Sequence, residues 1–257
     1  MAGFRDVLVR AALWVSLLVP VYFLIAALGT KFGLIDWRIG FGLMTFRLGA
    51  LVLMGAAGLA VLALILSLLV SPRRGAVTAL LALVVPAIGL GYGLYVRDQA
   101  QAIPPIHDIA TDLADPPGFT PTIIAARDSV EGVNGLDLYA KRSGDGRSYI
   151  ELQREAYADI APVVTTRSRA EAYAAALEIA ETQGWEIVTR DAEAGLIEAT
   201  ARSFWYGFAD DIVIRVRPEG AGARVDMRSV SRVGISDLGA NAARMRPYLA
   251  EVRARLE

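Results

Sequence analysis

Three stretches of the chain carry no charged residue: Ala11–Thr30, Leu48–Pro72 and Gly75–Val96, of 20, 25 and 22 residues. A bilayer core is crossed by about 20 apolar residues in a helix, so each stretch is long enough to span. Helix is the form in which a single stretch bonds its own backbone amides away from water. The pattern predicts transmembrane helices over about 11–30, 48–71 and 75–96. Pro20 and Pro86 fall inside two of them, which membrane helices tolerate when neighbours re-bond the freed carbonyl. The first run exceeds the apolar region of a secretory signal, and no Ala-x-Ala site follows it, so an uncleaved helix is expected.

Lys31–Arg47 joins the first two spans. It is apolar, with Phe32, Trp37, Phe41 and Phe46 among three cations, and reads as a loop lying in the headgroup region, where aromatic rings and cationic tips meet water. Small residues recur on the second and third spans, as Gly55/Gly58, Ala56/Ala60 and Gly89/Gly93. They predict close helix packing within a three-helix bundle. No Asp, Glu, Lys or His lies inside a span, which disfavours transport.

After Arg97 the pattern turns polar. Pro104-Pro105 and Asp115-Pro116-Pro117-Gly118 break the chain, and 98–118 reads as a Pro-rich linker ahead of a soluble domain over 119–257. Residues 119–164 give little periodicity, with a turn at 143–146 and a strand expected over 149–155. From Ser168 the signal sharpens. Ser168-Arg169-Ala170-Glu171 is a capping box, followed by one apolar face at Ala170, Tyr173, Ala174, Leu177 and Ala180, and by a stop at Gly184. Strands follow at 185–190, 196–203, 212–217 and 224–228, the middle two alternating cleanly and the last pair joined by a Gly-rich turn. A final helix carries Leu238, Ala242, Met245, Leu249, Val252 and Leu256, with Pro247 expected to kink it. The predicted class is a three-helix transmembrane bundle followed by an α+β domain with a helix–four antiparallel strands–helix core, both helices on one sheet face. The other face, with Glu198, Arg202, Arg215, Arg217, Asp226 and Arg228, is expected to face water with cross-strand ion pairs.

Charge divides the chain in the same place. Residues 1–100 hold eight basic and three acidic residues; the remainder holds 18 and 24. The balance excludes a basic nucleic-acid footprint. The absence of cysteine excludes disulfides, thiolate catalysis and thiolate metal sites, and a single histidine, His107, excludes a histidine cluster. No cofactor and no metal site is implied. Cations fall four on each side of the membrane. The Arg73-Arg74 hairpin is the most concentrated group and places that loop, and the N-terminus, in the cytoplasm.

The strings Ile106–Pro117, Tyr157–Pro162, Gly184-Trp185, Phe208–Val216 and Asp226–Arg246 resemble the domain of unknown function (DUF) 1499 family over about 105–256. The front half, down to Asp36–Phe41, is similar to its multi-span alphaproteobacterial members. The resemblance implies a tethered, extracytoplasmic domain with no established activity, in a bacterial inner membrane with the C-terminal domain periplasmic. On the matching residues, Asp210, Asp211, Arg215, Arg228, Arg232, Ser236, Asp237 and Asn241 form a candidate anion site. Arginines near a helix N-terminus suit an oxyanion, and Ser236 is the expected N-cap. The same residues also suit a tied structural corner, with Arg228 paired to Asp211. One concave pocket lined by Asp210, Asp211, Arg228 and Asn241 would favour a ligand; burial in an ion-pair network would favour structure. His107-Asp108 can be a base with its orienting carboxylate, although a lone His beside a stalk is more often a surface residue. The function expected is a non-catalytic binding or interaction domain presented on a membrane bundle. The alternative is a hydrolase or transferase acting on an anionic envelope substrate. Expected partners are the lipid bilayer and an envelope protein or anionic small molecule, and no nucleic acid.

Overall fold

The computed structural model describes residues 1–257 as two compact units. The first comprises Met1–Gln101 with Phe204–Gly207. Its helices are α1 (Ala2–Lys31), α2 (Gly49–Leu69) and α3 (Ala76–Gln101). All three are long and apolar enough to cross a membrane. Both ends of α1 and the C-terminal end of α3 run past the charge-free stretches, because helical bonding continues into the polar flanks where water or side chains can serve the last carbonyls.

Alanines fill the contacts between these helices. Ala12, Ala60, Ala63, Ala79 and Ala82 are fully buried with Val9, and Ala56 packs with Val19 and Leu53. A Cβ on Gly89 would strike the Leu53 side chain at 2.5 Å, so this glycine permits the approach of α3 to α2. Gly55, Gly58 and Gly93 meet nothing within 4 Å and play no such part. The loop between α1 and α2 is more ordered than its sequence predicts: Arg38–Arg47 forms a π-helical segment. The fully buried Arg5 donates to the Val70 carbonyl (2.9 Å) and the Pro72 carbonyl, and pairs with Asp6 at 2.7 Å. It thereby caps the end of α2 from the start of α1.

The second unit is the α+β domain, Ala102–Ser203 with Phe208–Glu257. Its strands are β1 (Asp108–Ala110), β2 (Val163–Thr165), β3 (Glu186–Asp191), β4 (Leu196–Arg202), β5 (Ala209–Glu219) and β6 (Gly222–Ser231). Every pairing is antiparallel, in the order β1-β6-β5-β4-β3, and β2 pairs the same edge of β6 beside β1. The four long strands are those the alternation predicts. Two short strands join them from segments that carry no such pattern, and one, β1, comes from the stretch read as a linker.

Helices α6 (Arg169–Thr182) and α7 (Ala240–Leu256) pack on one face of this sheet. Ser168 and Glu171 form the reciprocal cap of α6, and Gly184, at φ 72°, follows its end. Ile197, Ile212, Ile214, Val225 and Met227 are fully or almost fully buried beneath Ala176, Met245, Tyr248, Leu249 and Val252. Burial of each large apolar side chain contributes about 1.5–3 kcal/mol.

Two local expectations are corrected, and a segment without clear periodicity gains a helix. Tyr149–Ala156 is a helix, α5, not a strand: Ser148 and Glu151 form a capping box ahead of it. A further helix, α4 (Pro121–Asp128), begins with proline at its first position. The sheet's second face is covered over most of its length, although Arg202 stays exposed. Glu198, Asp226 and Arg228 on that face are buried under residues of the 111–137 segment, including α4.

Leu249 is 4% exposed at the centre of the α7 contact. Truncation to alanine leaves a cavity, and Leu249→Ala is expected to lower stability by ~2–5 kcal/mol in denaturant unfolding of the full chain. A change within about 0.5 kcal/mol, the usual size at exposed positions, would contradict this packing.

Candidate functional site

Several charged residues of the sheet's second face are held by partners some hundred positions upstream. Arg228, on β6, reaches Asp108 on β1 through Nε (2.9 Å) and Nη2 (2.8 Å). It also donates to the carbonyls of Pro117 (3.2 Å) and Leu136 (2.5 Å), and lies 5.8 Å from the centre of the Phe119 ring. Lys141 closes on the same carboxylate at 2.5 Å. Asp211, on β5, is fully buried between Arg127 (2.8 Å), Arg232 (2.7 and 2.9 Å) and the Thr200 hydroxyl (2.9 Å). Asp226 takes Arg215 and Arg224, and Asp112 takes Arg217 and Arg224. Glu198 is served without a cation, by the Thr120 amide and hydroxyl and by the Thr189 hydroxyl, each at 2.6 Å.

The eight candidate residues separate across the sheet. Asp211, Arg215, Arg228 and Arg232 belong to the charged face just described. Asp210 and Asn241 lie on the helix side. There Arg244 of α7 binds Asp210 at 2.6 Å, and Asn241 links Ser229 (2.6 Å), Ser231 (3.0 Å) and the His107 carbonyl (3.3 Å). Ser236 and Asp237 lie in the loop before α7. Arg228 pairs with Asp108 rather than Asp211, and the residue capping α7 is Gly239, at φ 81°, not Ser236. Ser236 instead accepts the Leu238 amide at 3.1 Å. Asp237 accepts the amides of Gly239 and Asn241 at 2.8 and 2.9 Å, so a carboxylate already occupies the first turn. Burial pushes its pKa up, against the pull of those two amides.

His107 departs furthest from its sequence reading, being 7% exposed. Its Nδ1 lies 3.0 Å from the Tyr149 hydroxyl and 3.1 Å from the Ile235 carbonyl, with the two rings edge to face at 5.1 Å. Its Nε2 is buried without a hydrogen-bond partner. Burial, then the nearby Lys141 charge, brings its pKa down from 6.5 to about 4, while burial pushes the Tyr149 phenol up to about 12. Asp108 does not orient the imidazole. Burial tends to raise the Asp108 carboxyl, but Arg228 and Lys141 outweigh it and hold the group below the usual carboxylate range. The histidine is therefore neutral at pH 7 and a weak base.

These arrangements define a class before they define a function: an apolar helical bundle of membrane-spanning length, joined to a six-stranded α+β domain whose second face is a buried ionic layer. The family described as "Protein of unknown function (DUF1499)" matches residues 108–252, more than half of the chain, and the chain belongs to that family. No curated protein matches the chain.

The lowered histidine gives a pH dependence of known sign. Between pH 6.5 and about 4 the unfolded chain holds a proton on His107 that the native chain does not. Stability therefore falls as pH falls through that window, by about 3 kcal/mol in all. Thermal unfolding of the full chain from pH 7 to 4 should show this loss, and His107→Gln should flatten it. An unchanged slope in the variant would remove His107 as its source.

Proposed function

We propose that the protein presents a non-catalytic binding or interaction domain on the outer side of a bacterial plasma membrane, anchored by its three helices with the N-terminus in the cytoplasm. The observation carrying this reading is the internal pairing of the domain's buried charges. Asp108, Asp211, Asp226 and Arg228 all point at partners within the domain, so this polar layer acts as fold, and recognition belongs to the outer surface. The eight-residue anion site stays part of the proposal in a narrower form. Arg215 and Arg232 lie nearest solvent among its arginines, with side chains 21% and 11% exposed, and are where an oxyanion would first meet the domain.

Orientation rests on the Arg73-Arg74 hairpin, joined by Arg5 and Arg10 at the same end of the bundle. Alkaline phosphatase, which folds only after export, is expected to be active when fused after Glu257. An inactive enzyme at that position, with activity at a fusion in the 71–75 hairpin, would reverse the orientation.

A further inference from the structure

The loop joining β4 to β5 reads Phe204-Trp205-Tyr206-Gly207, and these four residues belong to the compact unit of the membrane helices. Lys31, the last residue of α1, donates to the Phe204 carbonyl at 2.8 Å, and its ammonium lies 4.7 Å from the centre of the Phe204 ring. The hydroxyls of Tyr206 and Thr45 lie 2.6 Å apart, and the Tyr206 and Phe41 rings meet edge to face at 5.1 Å. Gly207, at φ 69°, brings the chain against the Lys31 backbone, where a Cβ would come within 3.2 Å. Tyr206 thus fixes the loop to the segment between α1 and α2. The two residues ahead of it turn outward: Phe204 is 74% and Trp205 54% exposed, their rings edge to face at 5.0 Å.

We propose that Phe204 and Trp205 are a membrane-interface anchor, seated at the boundary between lipid headgroups and acyl chains. The occupant is lipid because the loop continues an apolar, cation-edged band already present at the end of the first span. Phe32, Leu34 and Phe46 are 67%, 82% and 79% exposed there, and Lys31 supplies the charge. Large aromatic side chains beside a cation at the end of a spanning helix have the composition of the interfacial belt. Left in water they would form an exposed apolar patch. The inference holds for either orientation of the chain, so it stands or falls apart from the interaction-domain reading.

The chain has no cysteine, so each introduced thiol is unique. Nitroxide labels at Trp205→Cys, at Leu62→Cys on the lipid-facing side of α2, and at Ala221→Cys in the β5–β6 turn are compared in the full chain. The chain is reconstituted in phosphatidylcholine–phosphatidylglycerol nanodiscs. The oxygen-to-nickel-chelate accessibility ratio at 205 is expected to be several-fold above that at 221 and close to that at 62. Phe204→Cys should reproduce the result if Trp205→Cys does not fold. A ratio at 205 or 204 equal to that at 221 places the loop in water and overturns the proposal. Exclusion of both reagents means protein covers the loop, and overturns it equally.

Discussion

The sheet domain depends on one constraint: a charged face has been taken out of water and must be neutralised from within. Asp211 and Asp226 are fully buried on the strands, and Asp108 on the edge strand beside them. An isolated carboxylate in such a place is strongly destabilising unless a cation or several donors meet it. Arg127 and Arg232 meet Asp211, Arg228 and Lys141 meet Asp108, and Arg215 and Arg224 meet Asp226; Arg127 and Arg228 also bind backbone carbonyls. Two of the neutralising groups, Arg127 and Lys141, arrive on a chain segment with few regular elements. The ionic layer therefore decides where 111–141 lies, and α4 and its flanks are held to the sheet through charge as much as through apolar contact. Buried pairs of this kind are weak contributors to net stability, but removing one partner is severe.

The opposite face works differently. There α6 and α7 cover Ile197, Ile214 and Met227 by ordinary apolar burial, and a polar cluster sits at one end, where Asn241, Ser229, Ser231 and the Asp210–Arg244 pair join α7 to the strands. One sheet thus carries an apolar layer and an ionic layer back to back. This explains why the candidate site residues, adjacent in sequence, do not converge. In an extended strand successive side chains leave on opposite faces, so Asp210 and Asp211 part company at once.

The same alternation explains what was legible. Strands β4, β5 and β6 and helices α6 and α7 carry the periods of their geometry, and the Ser168–Glu171 cap marks its helix start. The Ser148–Glu151 cap was equally readable, yet the turn before it and the apolar Tyr149-Ile150 read more easily as a strand. What could not be read locally was the cover on the second face. Arg217 and Arg228 look like a solvated strand face, because their partners Asp112 and Asp108 lie more than 100 residues earlier in a Pro-rich stretch. His107 followed the same logic: a lone histidine beside prolines carries no sign that Tyr149 will close over it. Nothing in the spacing indicates that Phe204–Gly207 belong with the helices rather than with the strands that carry them.

Arg228 holds the fold through Asp108 rather than awaiting a ligand. The direct test is a double-mutant cycle in the full chain, with unfolding measured with and without phosphate. Arg228→Ala should cost ~3–5 kcal/mol by leaving Asp108 short of its main cation. Adding Asp108→Ala should recover part of that loss, giving a coupling on the order of 1–3 kcal/mol, and phosphate should not raise the melting temperature of the unmutated chain. An Arg228→Ala chain that keeps its melting temperature, beside an unmutated chain that phosphate stabilises, would show that Arg228 serves a ligand instead.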